Sequence, residues 1–229
     1  MTDKPPLKPR SFAAPLGDLR GRGLFWLRLV WRIAGRAVLQ LRAVSPALPP
    51  AKPSAAPIAD PDQVIEALQT GEVDFLVGLG PEFAASIDAQ SGQPWLFHAI
   101  DLGSLASLHW FLAQGVDLAS RDKAGRLPLQ AAVERAAAVD EFDDAPEDPL
   151  ALIDALLEAG AQINAASAQG LTALHVAAAL GLLDVVTLLL ERGADANLRD
   201  EGFAGSTALD YAVQARQEAV AEVLRAEAP

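Results

Sequence analysis

The chain contains no cysteine, and aromatic residues make up only 6% of its 229 residues. The absence of cysteine excludes disulfide bonds, thiolate zinc sites and a cysteine nucleophile, and it fits a reducing compartment. Hydrophobic residues nevertheless reach 51%, mostly as alanine and leucine. This composition favours closely packed helices over a β-sandwich, which would be richer in Val, Ile, Tyr and Phe.

The sequence also lacks the short motifs that mark common active sites. It contains no Walker sequence, Gly-x-Gly-x-x-Gly, Gly-x-Ser-x-Gly or His-Glu-x-x-His. Of its three histidines, His98 and His109 have no Asp or Ser partner at triad-like spacing, which predicts packing or surface roles for both. We therefore expect a protein that is not an enzyme, with no catalytic residue, no cofactor and no metal ion.

Positive and negative charges are divided between two parts of the chain. Residues 1–58 contain ten Lys/Arg and two Asp, whereas residues 59–229 contain eight Lys/Arg and 28 Asp/Glu. The first part therefore carries +8 and the second −20, which gives the net charge of −12. An acidic body argues against nucleic acid as a partner, because phosphates require a basic face.

Two sequence motifs recur along the chain. The first reads GLTALHVAA from Gly170 and returns as GSTALDYAV from Gly205, GRLPLQAAV from Gly125 and GQPWLFHAI from Gly92. These glycines are 33, 45 and 35 residues apart. The second motif reads GLLDVVTLLLERGADAN and returns as GSLASLHWFLAQGVDLA and, in part, as ALIDALLEAGAQIN. Two motifs that recur together at a fixed period predict a repeat protein.

A period near 33 with a Gly-x-Thr-x-Leu-His opening resembles the ankyrin repeat family. The resemblance covers about residues 61–226, with weaker outer repeats, as terminal repeats need one polar face. It implies an all-α solenoid of four to five stacked helix-turn-helix units with short hairpin-like loops. The predicted organisation is a basic amphipathic extension (1–44), a Pro/Ala-rich linker (45–60) and a repeat domain (61–229). Its repeats would lie at about 61–91, 92–124, 125–169, 170–204 and 205–227.

The best-matched repeat also has the physical properties of a stacked unit. Leu174, Ala177 and Ala178 share one face of a predicted first helix, and the alanines allow its neighbours to approach closely. The second helix, around residues 185–190, is apolar nearly all round and therefore needs a repeat on each side. Thr172 and His175 are placed to bond each other and a neighbouring loop, which predicts a structural role for His175.

The resemblance further implies a binding surface formed by loop tips and the exposed side of each first helix. Trp95 stands where the family usually has proline, so it either contacts a partner near the concave rim or covers the seam with the first repeat. The candidate partner-binding residues are Trp95, Asp101, Leu102, Lys123, Arg126, Glu134, Arg135, Gln169, Leu171, Ala179, Leu180, Glu201, Phe203 and Gln214.

An acidic insertion accounts for the longest spacing between repeats. We place it at residues 136–147, between the two helices of the third repeat. An EF-hand would need a central glycine and acids at alternating positions, which this stretch does not have. It is therefore interpreted as a solvated loop or as an anchor for a basic partner, with metal binding as a third alternative. Its acids are Asp140, Glu141, Asp143, Asp144, Glu147 and Asp148.

The N-terminal segment 23–44 is apolar and rich in arginine, and a semi-rigid linker with six prolines between residues 45 and 61 follows it. Arginines near the bilayer centre would cost about 2.5–3.5 kcal/mol each, which argues against a membrane span. They also interrupt any signal-peptide core, and a transit peptide would be richer in serine. The residues predicted to dock this segment on a membrane or a partner are Trp26, Arg28, Trp31, Arg32 and Arg36.

Three interpretations of segment 23–44 remain. It is a basic amphipathic helix on an anionic membrane surface, a helix that docks on a protein or on the chain's own acidic repeats, or a disordered tail. The sequence thus favours a membrane-associated adaptor or scaffold that binds a protein partner, with a soluble acidic inhibitor of a basic protein as the alternative. We expect a monomer in the cytoplasm, with peripheral attachment to the inner membrane face as an option. Its alanine- and arginine-rich, lysine-poor composition hints at a bacterial source.

Overall fold

The computed structural model describes residues 60–102, 104–138, 148–202 and 205–227. Every regular element in these ranges is a helix, and an isolated bridge joins Ile87 and Pro94. The predicted all-α fold is therefore confirmed. The helices are α1 (Pro61–Thr70), α2 (Val73–Leu79), α3 (Pro81–Ala84), α4 (Trp95–Leu102), α5 (Leu105–Ala113), α6 (Pro128–Ala138), α7 (Pro149–Glu158), α8 (Ala173–Leu180), α9 (Leu183–Glu191), α10 (Ala208–Gln214) and α11 (Glu218–Ala226).

The helices form a stack of pairs. Apart from the short α3, each helix packs against its sequence neighbour, in the order α1 with α2, α4 with α5, α6 with α7, α8 with α9 and α10 with α11. The first helices of successive pairs also contact one another, in a row that runs α1, α4, α6, α8 and α10. Second helices contact their counterparts too, as α5 does with both α2 and α7. This arrangement is the helical solenoid that the repeats predict.

Local capping residues fix where individual helices begin and end. Asp60 accepts a hydrogen bond from the Asp62 amide at 3.1 Å, and Pro61 follows as the first residue of α1. Gly71 then ends α1 in the left-handed conformation, at φ 70°, which glycine adopts without a steric penalty. These short signals allow α1 and α2 to reverse direction within two residues.

Small side chains permit the close stacking of the central pairs. Ala177 and Ala178 of α8 are completely buried, in the part of the stack where α8 contacts both α6 and α10. Val185, Val186 and Leu189 of α9 are buried as well, at 3% exposure or less. Because α9 is apolar on most of its surface, it is stable only between neighbouring repeats.

The helix before the acidic insertion is longer than the sequence pattern predicts. Helix α6 continues to Ala138, so residues 136–138 of the predicted insertion are helical rather than part of a loop. The physical reason is the alanine run at its end, since alanine has the highest helix propensity. Asp148 caps α7 by accepting a hydrogen bond from the Leu150 amide at 2.9 Å. Residues 139–147, with the other five acids, lie outside the described residues.

Candidate partner-binding surface

The loops that precede the first helices are joined to one another by hydrogen bonds. Arg121 donates from Nη2 to the Ala166 carbonyl at 2.8 Å, and the Ala168 amide donates to the Gly125 carbonyl at 2.9 Å. The Gln169 side chain donates to the Ala124 carbonyl at 2.6 Å. These bonds tie the loops of two successive repeats into one polar edge.

The same edge continues to the last loop through very close backbone packing. A β-carbon at Gly170 would lie 2.7 Å from the Glu201 nitrogen, and one at Gly202 would lie 2.0 Å from the Gln169 carbonyl oxygen. Only glycine permits this approach, because any larger side chain at either position would displace backbone atoms. Three consecutive loops therefore present a single continuous surface.

The predicted partner-binding residues divide by exposure. Lys123, Glu201 and Gln214 are exposed, and they are available to a partner without rearrangement. A second group is half-buried along the first helices and the loops before them. It comprises Asp101, Leu102, Arg126, Arg135, Gln169 and Leu180. Partner binding by these two groups stays a prediction.

Four of the predicted residues lie inside the protein. Trp95 is 4% exposed, and its ring packs against Phe83 at 5.4 Å between centroids. Of its two alternative roles, the structure therefore places it in the seam with the first repeat. Ala179 and Leu171 are each 4% exposed, and Glu134 is 5% exposed, so these side chains offer almost no surface. They face inward because the first helices are buried by stacking on both sides.

Three of the predicted residues meet in one charged cluster. The Arg126 guanidinium contacts Glu134 of α6 at 2.7 Å through Nη1 and lies 3.7 Å from Asp101 of α4 through Nη2. Its Nε donates to Asp122 at 2.6 Å. Sequence reasoning missed Asp122, although the stretch Asp-Lys-Ala-Gly that it opens is a turn signature. The "Arg126 cluster" below means Arg126, Asp101, Asp122 and Glu134.

Burial and neighbouring charges change the pKa values of Glu134 and Arg126 in this cluster. Burial raises the pKa of Glu134 to about 7, and the attraction of Arg126 offsets only part of this effect. Asp101 and Asp122 add to the increase through like-charge repulsion. Burial alone would lower the pKa of Arg126, but the three carboxylates raise it, so Arg126 stays charged.

His175 has the structural role that the sequence predicts. Its Nδ1 lies 2.8 Å from Thr172 Oγ1 and accepts from the Thr172 amide at 3.2 Å, while its Nε2 donates to the Ser206 carbonyl at 3.2 Å. This set of partners fits one neutral tautomer with the proton on Nε2. Burial lowers the pKa of His175, which keeps the ring neutral. The expectation that His175 ties repeats together is confirmed.

His98 has a packing role, one of the two roles that the sequence predicts, and it also has an Asp and a Ser as neighbours in space. Its Nε2 lies 3.3 Å from Asp88 Oδ2 and 3.1 Å from Ser91 Oγ, because the loop before α4 folds back over the helix. A catalytic triad would place the carboxylate and the hydroxyl on opposite ring nitrogens. Here both face the same nitrogen, and His98 is only 5% exposed, so the contact fastens the loop to α4. His109 is exposed on α5, as predicted.

Metal-binding groups and membrane-spanning helices are the two other features of interest in the described part of the chain. No group of three His, Asp or Glu within it is arranged to hold a metal ion. No helix among the described residues has the length and apolar character needed to cross a membrane. Six of the predicted residues lie outside the described residues, namely Phe203, Trp26, Arg28, Trp31, Arg32 and Arg36.

The sequence of residues 145–228 matches the family described as ankyrin repeats in three copies. This part of the chain is similar to ankyrin repeats. The helix pairs at Pro61–Leu79 and Trp95–Ala113 precede the matched residues and continue the same stack of helices. Ankyrin repeats indicate a protein–protein interaction module, so the continuous loop edge is a surface of the expected kind.

The chain also resembles two larger proteins that contain similar sequence. It is 38% identical over 112 residues to the Neurogenic locus Notch protein of Drosophila melanogaster. It is 34% identical over 103 residues to the B-cell lymphoma 3 protein homolog of Mus musculus. The alignments cover 47% and 44% of this chain but only 4% and 20% of the two relatives. The chain therefore spans a small part of each relative's length.

Proposed function

We propose that this protein is a membrane-associated adaptor. Its ankyrin repeats bind a protein partner through the edge formed by the loops and first helices, and segment 23–44 binds an anionic membrane surface. The observation that supports the first half is the continuity of the loop edge through residues 121–125, 166–170 and 201–202, where hydrogen bonds and close glycine contacts join three successive loops. A rigid surface loses little entropy when it binds, which favours specific recognition.

Support for the second half comes from the distribution of charge. Residues 1–58 carry +8, and segment 23–44 combines arginines with tryptophans and leucines, the composition of helices that lie in membrane interfaces. Arginines near an anionic surface contribute about 1 kcal/mol each. The adaptor would work without catalysis, cofactor or metal.

Vesicle flotation tests the membrane contact. The full chain is floated with neutral vesicles and with vesicles that contain 30% anionic lipid, beside two variants. R28Q/R32Q/R36Q removes three positive charges from the segment, and K4Q/K8Q/R10Q removes three charges outside it. We expect flotation of the wild type and the control variant with anionic vesicles only. Equal flotation of both variants would show that the segment is not the anchor.

Site-specific photocrosslinking tests the protein contact. A photoreactive amino acid is placed at exposed Lys123 or Gln214 on the predicted surface, and at exposed Glu222 on α11 as a control. We expect the first two positions to crosslink to the same protein in cells and the control to yield no such product. Crosslinking from Glu222 alone would place the partner on the other side of the solenoid.

A second candidate function is a soluble inhibitor that masks a basic protein. The observation that favours it is the charge of −20 on residues 59–229. Such an inhibitor would form a stoichiometric complex that weakens with salt, and its partner would lose activity in the complex. The adaptor requires neither inhibition nor strong salt dependence, so an activity assay of the crosslinked partner separates the two.

A further inference from the structure

The first helix pair, α1 and α2, has a following repeat on one side, whereas the described residues place no repeat on its other side. Contacts of the second pair show which positions face a preceding repeat. Trp95 packs against Phe83 of α3, and Ser107 of α5 donates to the Leu68 carbonyl of α1 at 3.2 Å. The positions equivalent to Trp95 and Ser107, one spacing of 32 residues earlier, are Gln63 of α1 and Phe75 of α2. Both therefore face the side that no described repeat covers.

Burial at equivalent positions confirms that this side is uncovered. Phe75 is only half-buried, whereas its equivalents in the later repeats are at most 3% exposed, namely Ser107, Leu152, Val185 and Val220. Glu66 of α1 is exposed, whereas its equivalents are at most 5% exposed, namely His98, Ala131, Val176 and Tyr211. The "open end" below means the surface formed by Gln63, Glu66 and Phe75. It offers one aromatic side chain among polar ones.

The repeat that carries the open end is acidic and has no cation of its own. Residues 59–120 contain nine Asp/Glu and no Lys/Arg. All six acids between residues 60 and 84 are exposed, namely Asp60, Asp62, Glu66, Glu72, Asp74 and Glu82. Asp62 lies one helical turn before Glu66 on α1, and Asp74 adjoins Phe75 on α2. The open end therefore fits an occupant that combines positive charge with apolar side chains.

Segment 23–44 of the same chain has this combination. It contains four arginines and no acid, among tryptophans, leucines and valines. Residues 45–59 join it to Asp60, the residue that caps α1. At about 3.1 Å per residue, a proline-rich linker of this length spans up to about 45 Å, which is enough to reach any part of the first repeat. Such a tether raises the effective concentration of the segment above that of a separate partner.

From these observations we infer that segment 23–44 docks on the open end of its own chain when no membrane is present. Its arginines lie against Glu66, Asp62 and Asp74, and its apolar side chains cover Phe75. In one respect the inference rests on the proposed function, because the segment that docks is the one that binds the membrane. Anionic lipid and the open end then compete for the same arginines, and lipid shifts the population toward the undocked form.

Paramagnetic relaxation in nuclear magnetic resonance tests the docking. Because the chain has no cysteine, Gln40→Cys provides one attachment site for a nitroxide spin label in the full chain. Without lipid, we expect the Glu66 and Phe75 amide signals to lose most of their intensity relative to the reduced label, and the Val223 signal of α11 to keep its intensity. Full intensity at Glu66 and Phe75 would overturn the inference. So would broadening that disappears on dilution, since it would assign the open end to a second copy of the chain.

Two charge variants of the labelled chain test which groups make the contact. D62N/E66Q/D74N should restore the Phe75 signal, whereas the charge-matched control E218Q/E222Q/E227Q, on and beside α11, should leave it broadened. R28Q/R32Q/R36Q, whose substitutions lie outside the solenoid, should restore it as well. A Phe75 signal that stays broadened in R28Q/R32Q/R36Q would contradict the charge pairing.

Anionic vesicles test the competition. Their addition to the labelled wild type should restore the Phe75 signal, and neutral vesicles should not. Broadening that persists while the chain floats with anionic vesicles would contradict the competition. The docking itself is measured without lipid and the membrane contact by flotation, so the failure of either proposal is recognised separately from the failure of the other.

Discussion

At the two ends of the solenoid, the first helices contact the neighbouring repeat through different interactions. At the N-terminal end, α4 packs against the first repeat through aromatic rings, with Trp95 between Phe83 at 5.4 Å and His98 at 5.0 Å. At the C-terminal end, the side chain of His175 donates across the repeat boundary to the Ser206 carbonyl. Aromatic packing contributes buried area, whereas a hydrogen bond also fixes direction and register.

The polar link is repeated where the stack passes from the third to the fourth repeat. Gln130 of α6 accepts from the Leu127 amide at 2.9 Å through Oε1 and donates to the Leu171 carbonyl through Nε2. Gln130 thus links α6 to the loop of the next repeat by a hydrogen bond, as His175 does for α8. Phe97, one period of 33 residues before Gln130, is completely buried and cannot form such a link. The polar link made by a first helix therefore begins at the third repeat, whereas the first two repeats are joined by a hydrogen bond from Ser107 of α5 to the Leu68 carbonyl of α1 at 3.2 Å.

The largest predicted effect is a loss of stability that is confined to the N-terminal end of the solenoid. Trp95→Ala removes a buried indole from the seam and should destabilise the first two repeats by about 3–5 kcal/mol. Native-state hydrogen exchange should show faster exchange in α1 and α4, with α8 and α10 little changed, because stacked repeats interact mainly with their neighbours. Uniform acceleration across the chain would mean that the two ends unfold as one unit.

A substitution at the C-terminal end should cause a smaller loss of stability, at the boundary between the last two repeats. His175→Ala leaves the Thr172 amide without its partner and removes one of the two donors to the Ser206 carbonyl, which keeps the Asp200 amide, so it should cost about 1–3 kcal/mol. His109→Ala, on an exposed face, should change stability by less than about 0.5 kcal/mol. Urea unfolding of both variants measures the difference. Similar losses in the two variants would argue against the cross-repeat bond of His175.

The Arg126 cluster, at the boundary between the two ends, should make stability depend on pH. Because the pKa of Glu134 is raised in the folded state, folding retains a proton that the unfolded chain releases. The free energy of unfolding should therefore fall as pH rises from 5 to 8, by about 2 kcal/mol from this group. E134Q should show a flatter profile than E158Q, which removes an exposed charge instead. Parallel profiles for the two variants would exclude this role.

The smallest effect is expected for a surface ion pair. Arg192, the residue that follows α9, contacts Asp154 of α7 at 2.8 Å, but the two side chains are 38% and 35% exposed. Arg192→Gln should change the free energy of unfolding by less than about 0.5 kcal/mol, because solvent and salt screen such pairs. Chemical denaturation at low and at high salt measures it. A loss above 1 kcal/mol would show that second helices depend on charge as well as on packing.

Prediction from sequence succeeded where one residue pattern has one structural solution. The Gly-x-Thr-x-Leu-His opening predicted the similarity to ankyrin repeats, the helical stack and the cross-repeat role of His175, because a threonine cap three residues before a histidine is a local device. Prediction failed for Ala136–Ala138, which were assigned to the insertion, because the helix propensity of alanine extends α6 to Ala138. The packing role of His98 was predicted, but its partners Ser91 and Asp88 were not, because they lie seven and ten residues away and become neighbours only after the loop folds back.

For the candidate surface, too, some features were predicted from sequence and others were decided by the structure. Sequence by itself determined where the repeats lie, and the resemblance to ankyrin repeats then implied loop tips and first helices as the candidate segments and Asp101, Arg126 and Glu134 as separate candidates. Only the tertiary structure decided that these three side chains meet around one guanidinium with Asp122, and that Trp95 and Leu171 are buried. The physical reason is that repeat periodicity fixes local conformation, whereas burial and charge pairing depend on side chains of neighbouring repeats.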